Sequence, residues 1–151
     1  MKKMLYFFSI IATVLTLVSC GDKDLPSINP GLYEIEFKLD YGGQSLSAKQ
    51  RVRYNSNGTF EATNFNNGVA VEEIKGKFKI ENKQLVSYDT SARSITENGE
   101  WKQKEPSKVE VRKIKKGSYQ YYFKFPSEQM RVIYKQVGMK EGWKTYTRIS
   151  D

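Results

Sequence analysis

The sequence predicts an all-β fold, namely an antiparallel up-and-down β-barrel of about 8–10 strands. Apolar and polar residues alternate with a period of two along most of the chain, which is typical of strands with one wet face. Ten tyrosines contribute to an aromatic content of 13%, and aromatic residues favour strands over helices. Because periodicity does not distinguish one closed sheet from two packed sheets, an open sandwich is the alternative.

The first element is an export signal, predicted for residues 1–19. Lys2 and Lys3 provide a cationic start, and residues 4–18 contain no charge. This apolar run is shorter than the roughly 20 residues that a membrane-spanning helix needs, so a signal peptide is favoured over a permanent span.

The end of this leader reads Leu17-Val18-Ser19-Cys20 and resembles the lipobox of bacterial lipoproteins. The resemblance implies cleavage before Cys20 and attachment of diacylglycerol, with palmitate-type acyl chains, to its sulfur. Two or three acyl chains hold a protein on a membrane effectively permanently. Cys20 is the only cysteine in the chain, so this modification would also account for the absence of a disulfide partner.

Residues 20–30 are predicted to be a lipidated tether, because the run is polar and contains Pro26 and Pro30. It has little reason to pack against the domain. Asp22 and Asp24 resemble the acidic export signal of lipoproteins carried to the outer face of an outer membrane. The protein is therefore expected in the cell envelope, lipid-anchored to the outer membrane. The sequence does not distinguish the periplasmic leaflet from the surface-facing leaflet.

Residues 31–151 are predicted to form the β domain. Tyr33, Ile35, Phe37 and Leu39 alternate with charged residues, and the same alternation recurs later in the chain. Turn pairs such as Asn57-Gly58 and Asn67-Gly68 separate the runs. The predicted strands cover residues 32–40, 48–56, 59–65, 69–80 with a bend at Gly76, 84–90, 98–104, 108–115, 118–125, 130–137 and 143–150.

Four segments of this domain resemble the lipocalin-like domains of envelope lipoproteins: Gly31-Leu32-Tyr33, residues 54–60, residues 75–80 and residues 143–148. Lipocalins open their first strand with Gly-x-Trp and cap that Trp with an Arg from the last strand. Here the aromatic residue is Tyr33, and Arg148 is the candidate partner for closing the barrel. The resemblance implies a closed barrel with an internal ligand.

Aromatic side chains are the candidate ligand contacts, namely Trp101, Tyr121, Tyr122 and Trp143. They would form a platform or a cavity lining for an apolar ligand or a sugar, although packing in the core is the simpler interpretation. Tyr121 shares a strand face with Tyr119 and is predicted to point inward. Tyr122 is predicted to lie on the opposite, polar face.

Charge and composition exclude several classes of site. The chain has no His, which removes the usual zinc and copper ligands and the usual base of a catalytic triad, so neither a metal nor another cofactor is expected. The formal net charge is +8, and part of it comes from a basic cluster at a predicted hairpin, Lys108, Arg112, Lys113, Lys115 and Lys116. In an exported protein this favours anionic envelope partners over nucleic acid.

The expected function is binding of a small apolar or glycan ligand by a non-enzymatic, membrane-anchored barrel. The alternative is a protein-interaction module of the envelope, such as an inhibitor or assembly factor. Asp89, Glu97 and Glu100 precede Trp101 and would be the acids for hydrolysis, but no spacing supports their pairing. A binding barrel should hold an open cavity of roughly 300 Å³ or more, whereas an interaction module needs none.

Replacing Cys20 by Ser tests the lipid anchor. We expect the variant to lose acylation and membrane retention, because a hydroxyl at this position does not provide the thiolate that is alkylated. Mass spectrometry of the mature N-terminus and membrane fractionation measure both effects. A Cys20→Ser protein that is still acylated and membrane-bound would contradict the assignment.

Overall fold

The computed structural model describes residues 23–151. The predicted signal peptide and Cys20 lie outside these residues. The described chain contains one short helix and nine strands. The strands are β1 Gly31–Tyr41, β2 Gln44–Tyr54, β3 Thr59–Asn66, β4 Val69–Glu81, β5 Gln84–Ser94, β6 Lys102–Lys104, β7 Ser107–Lys115, β8 Ser118–Phe123 and β9 Gly142–Ser150, and helix α1 is Glu128–Gln136. No helix of the described part is long and apolar enough to span a membrane.

The strands form a closed antiparallel barrel. Their order is β4-β3-β2-β1-β9-β8-β7-β5, and pairing between β4 and β5 completes the ring. β6 and β7 share one position beside β5, because β6 pairs with residues 90–92 and β7 with residues 84–87. Pro106 lies between them and has no N–H for the ladder. The ring therefore has eight strand positions, which confirms the predicted barrel and excludes the open sandwich.

Tight turns join neighbouring strands. Asn67 and Gly68 both have positive φ, 48° and 79°, and so do Asn82 and Lys83, at 51° and 58°. Two consecutive residues with positive φ are the mark of the hairpin turn whose twist matches the strands. The short turns keep sequence neighbours adjacent around most of the ring.

The inward-facing side chains follow the predicted alternation. Tyr33 and Tyr119 are the largest side chains that are fully buried. Their rings meet edge to face, 5.5 Å apart, and Tyr54 contacts both of them. Such aromatic pairs each add about 0.5–1.5 kcal/mol beyond the area they bury. These rings fill one end of the barrel, where β1 begins and β2 ends.

β4 bends at Gly76, as the sequence predicted, and the register with β5 shifts there. A Cβ at this position would lie 2.8 Å from Thr90 Oγ1 and 3.1 Å from Phe60 Cε1. Only glycine therefore allows the two strands to approach this closely. Thr90 Oγ1 is buried and has no hydrogen-bond partner among the described residues, a defect that costs about 1–3 kcal/mol.

Residues 24–30 pack against the end of the barrel, so the prediction that this run does not pack is wrong. Ile28 is only 4% exposed and belongs to the core cluster, and Leu25 packs against that cluster. Two prolines stiffen the segment without preventing contact. We call residues 24–30 the plug segment.

Backbone and side-chain hydrogen bonds fix the plug segment. Leu25 N–H donates to the Ile114 carbonyl oxygen at 2.7 Å. Asp24 accepts from the Lys113 N–H at 2.8 Å and pairs with Lys115 Nζ at 3.2 Å. Lys113 has a positive φ of 50° in a bulge of β7, and the bulge leaves that N–H without a strand partner. The carboxylate of Asp24 satisfies it.

Residues 128–136 form helix α1, so the predicted strand at 130–137 is wrong. Ser127 caps the helix by accepting from the Met130 N–H, and Glu128 lies in the first turn. Met130, Tyr134 and Val137 recur at helical spacing and are the half-buried residues of this segment. The N-terminal cap and the helical spacing of the half-buried residues therefore favour a helix here.

The predicted strand at 98–104 is also mostly wrong, because only Lys102–Lys104 pair with β5. The preceding residues fold back on the end of β5. Gly99 N–H donates to the Ser94 carbonyl oxygen at 2.9 Å, and Asn98 has a positive φ of 49°. A closed local loop therefore replaces the first half of the predicted strand.

Replacing Ile28 by Ala tests whether the plug segment is part of the fold. Removing a buried Ile side chain costs about 2–5 kcal/mol of unfolding free energy. The matched control is Ile149→Ala, because Ile149 is 49% exposed and should change stability little. Denaturant titration of both variants measures the difference. Equal stability of the two variants would show that the plug segment does not contribute to the core.

Candidate ligand-binding site

A cavity of about 420 Å³ lies inside the barrel. Its walls come from β2, β3, β4, β5, β7, β8 and β9, and most of the lining side chains are apolar or aromatic. The lining residues are Gln50, Val52, Tyr54, Phe60, Ala62, Glu72, Ile74, Leu85, Ser87, Thr90, Ala92, Lys104, Glu105, Ser107, Val109, Tyr119, Tyr121 and Tyr146. The volume exceeds the roughly 300 Å³ expected of a binding barrel.

The floor of the cavity carries a pair of buried hydroxyls. Tyr54 Oη and Tyr119 Oη lie 2.7 Å apart, and either of them can donate. Burial raises the pKa of both phenols well above the ordinary value. Both phenols therefore stay neutral, and one hydroxyl donates to the other at the floor of the cavity.

A chain of hydrogen bonds on the inner surface joins side chains from four strands, β9, β2, β3 and β4. Tyr146 Oη donates to Gln50 Oε1, and Gln50 Nε2 donates to Asn64 Oδ1 at 2.7 Å. Asn64 Nδ2 in turn donates to Glu72 Oε2, also at 2.7 Å. These polar groups are paired with one another, so they form a rigid inner band beside the apolar walls.

Tyr121 and Thr90 are polar residues of the cavity wall whose hydroxyls lie outside this band and have no hydrogen-bond partner within residues 23–151. The ring of Tyr121 packs at 5.3 Å on that of Tyr146. Burial raises the pKa of Tyr121 to about 12. A neutral phenol O–H is thus available to donate to an acceptor inside the cavity.

The cavity opens beside β6, where its lining residues are exposed and polar: Lys104, Glu105 and Ser107. A second recess of about 490 Å³ shares Glu72, Ala92 and Lys104 with the cavity. The loop between β5 and β6 lines this recess with charged and polar groups. We infer that the recess is the entrance to the cavity.

The predicted ligand contacts do not come together. Tyr121 lines the cavity, and Tyr122 faces the outside of the same strand, both as the sequence predicted. On the outer surface Tyr122 meets Trp143 edge to face at 5.3 Å. Arg112 lies 4.0 Å from the centre of the Trp143 ring, and Lys124 lies 5.7 Å from that of Tyr122. The exposed face of Trp143 is therefore covered by a cation.

Trp101 is separate from all of these residues. It is 38% exposed and lies in the loop before β6. Lys75 Nζ and Arg93 Cζ lie 4.2 and 4.9 Å from the centre of its ring. These are cation–π contacts on the outer surface, so Trp101 does not line the cavity.

Tyr33 and Arg148 face each other across β1 and β9. Arg148 Nε and Nη2 donate to the Pro30 carbonyl oxygen at 3.2 and 2.8 Å, and Tyr33 Oη donates to the Asn29 carbonyl oxygen at 3.0 Å. Burial raises the pKa of Tyr33, and the charge of Arg148 offsets part of that effect. Both side chains hold the plug segment against the seam where the first and last strands meet.

The acids considered for hydrolysis lie in different places. Asp89 pairs with Lys77 at 3.3 Å on the outside of the β4–β5 ladder, whereas Glu97 and Glu100 line the entrance recess. Within residues 23–151 no three His, Cys, Asp or Glu residues are close enough to hold a metal ion.

Sequence reasoning missed the inner polar band of Gln50, Asn64 and Glu72. These residues occupy inward positions of β2, β3 and β4, and their polarity breaks the apolar side of each alternation. This break in the alternation is the sequence signal that could have indicated the band. Their mutual pairing depends on strand register, which the alternation alone does not provide.

No family model matches the chain, and neither the curated proteins nor the solved structures contain a match to it.

Alkaline titration tests the buried tyrosines. Their folded pKa values lie above the unfolded value of about 10, so their neutral forms stabilise the fold fully below pH 10, and this contribution is lost as pH rises through the folded values. For Tyr121 that window runs from pH 10 to about 12. We expect Tyr121→Phe to lose less stability across it than the wild type.

Denaturant titrations at several pH values measure this loss. Tyr41→Phe is the matched control, since it is the same substitution at a tyrosine that is 61% exposed. If Tyr121→Phe and Tyr41→Phe lose as much unfolding free energy between pH 10 and about 12 as the wild type does, Tyr121 is not buried as described.

Proposed function

We propose that this protein is a non-enzymatic lipoprotein of the cell envelope, anchored to the outer membrane through Cys20, that binds a small apolar ligand inside its barrel. The anchor is supported by the leader and its lipobox-like ending. The observation that carries ligand binding is the cavity of about 420 Å³ within a closed barrel. Pockets for small molecules begin at about 300 Å³, so this cavity suits a compact ligand.

The lining favours an apolar ligand over a glycan. A sugar needs a hydrogen-bond partner for most of its hydroxyls, and each one left unpaired in a buried site is costly. Here Gln50, Asn64 and Tyr146 already bond within the inner band. Most of the wall consists of aliphatic and aromatic side chains, so burying the apolar surface of a ligand against it stabilises the complex.

The same lining favours an uncharged ligand that carries an oxygen acceptor. Tyr121 provides a free O–H inside the cavity, and burial keeps it neutral. Glu72 is an acid on the wall, and the cation in the lining, Lys104, lies exposed at the mouth beside Glu105. A carboxylate ligand would therefore gain little attraction inside. An alcohol, ketone or ester oxygen could accept from Tyr121.

A protein-interaction module is the second candidate. It is supported by the outer surface, where Val132 and Ile133 of α1 are 58% and 49% exposed. The stack of Arg112, Trp143 and Tyr122 provides a second outer patch of the kind that is enriched at interfaces. An apolar cavity is not required for this function, which is why we place it second.

Filling the cavity tests the proposal. Ala62 lines the cavity, and its neighbour Thr63 faces outward on the same strand. Native mass spectrometry of the lipoprotein from its own host should show a small-molecule adduct in the wild type and in Thr63→Trp. Ala62→Trp should lose the adduct, because the indole occupies the ligand space. Tyr121→Phe should retain it with roughly 2- to 10-fold lower occupancy, the effect of one neutral hydrogen bond.

Two outcomes would contradict ligand binding. The first is a wild-type protein without any adduct, and the second is an adduct that persists unchanged in Ala62→Trp. A clean apo mass together with a partner protein that co-purifies with the wild type but not with Trp143→Ala would favour the interaction module.

A further inference from the structure

The plug segment fixes where the chain leaves the barrel. Asp24 and Leu25 form hydrogen bonds with the C-terminal end of β7, beside the β7–β8 turn at Lys116 and Gly117. Asn29 Nδ2 also lies within 3.5 Å of the Lys116 carbonyl oxygen. The chain therefore departs from the closed end of the barrel, opposite the end that carries α1 and the β5–β6 loop.

The proposed anchor lies very close to this point in the sequence. Cys20 precedes Asp24 by four residues. An extended chain spans at most about 3.5 Å per residue, so the link from Cys20 to Asp24 covers no more than about 14 Å. Asp24 is docked on the plugged end of the barrel. While Cys20 is acylated, this end therefore stays within about 14 Å of the membrane surface.

The charges of this end suit an anionic membrane surface. Lys23, Lys83, Lys113 and Lys116 are exposed, and none of their side chains forms an ion pair among the described residues. Of the acids at the same end, Asp24, Glu81 and Asp151 are each paired with a cation. Glu110, opposite Gln84, is exposed and forms no ion pair within residues 23–151. Anionic lipid attracts lysines that lie near its surface, and salt screens this attraction.

We propose that the plugged end of the barrel faces the bilayer and that the mouth of the cavity faces away from it. This inference rests on the proposed anchor at Cys20 and not on the proposed ligand. It requires that ligands enter from the aqueous side, because the docked segment and the aromatic floor separate the cavity from the lipid. The short link sets the direction, and the lysines add to it.

Nitroxide labelling of the acylated protein tests the orientation. Because Cys20 would be consumed by acylation, Lys116→Cys and Tyr41→Cys each provide one free thiol, at the plugged end and at the opposite end. In vesicles of phosphatidylethanolamine and phosphatidylglycerol with nickel-chelating headgroups, we expect several-fold stronger relaxation of the label at position 116. An equal or reversed effect at position 41 would overturn the proposal.

A lengthened link is the matched control. A flexible Gly/Ser insertion between Lys23 and Asp24 leaves the docked residues unchanged but removes the length limit, so the difference between the two labels should shrink. A difference that persists in full would show that the link does not orient the barrel. Failure of the vesicles to retain the protein would instead refute the anchor and this inference with it, and would leave ligand binding to the mass measurement.

Discussion

The docking of residues 24–30 on one end of the barrel is the constraint on which the other features depend. Ile28 enters the core there, and Asp24 satisfies the backbone of the β7 bulge. Arg148 and Tyr33 bond to the same segment from the seam between the first and last strands. One end of the barrel is therefore sealed by protein, and the cavity opens at the side of β6.

This closure explains how a small chain can enclose a cavity. Eight strand positions leave an interior that side chains can fill or that one small ligand can occupy. Here most of the fully buried aromatic rings lie at the sealed end, and smaller residues such as Val52, Ala62 and Ala92 line the middle. Packing at the sealed end stabilises the fold, so side chains do not have to fill the cavity in the middle of the barrel. The inner hydrogen bonds from Tyr146 to Glu72 keep the polar groups of that space in place.

Much of the barrel followed from the sequence because strand alternation and hairpin turns are local signals. Tyr121 and Tyr122 were assigned to opposite faces by parity alone, and the structure agrees. Helix α1 was missed although Ser127 and the spacing of Met130 and Tyr134 were readable, since a short run with β-branched residues fits both patterns. The contacts of the plug segment could not be predicted, because they join residues about ninety positions apart. For the same reason the pairing of Gln50 with Tyr146 was out of reach.

The most direct test of the account is a crystal structure of the protein purified from its own host, at a resolution that separates water from an organic molecule. The account predicts connected density inside the barrel, packed between Val52, Ala62 and Ala92, with an oxygen within hydrogen-bond distance of Tyr121 Oη. A collapsed interior, or one that holds only ordered water, would contradict it.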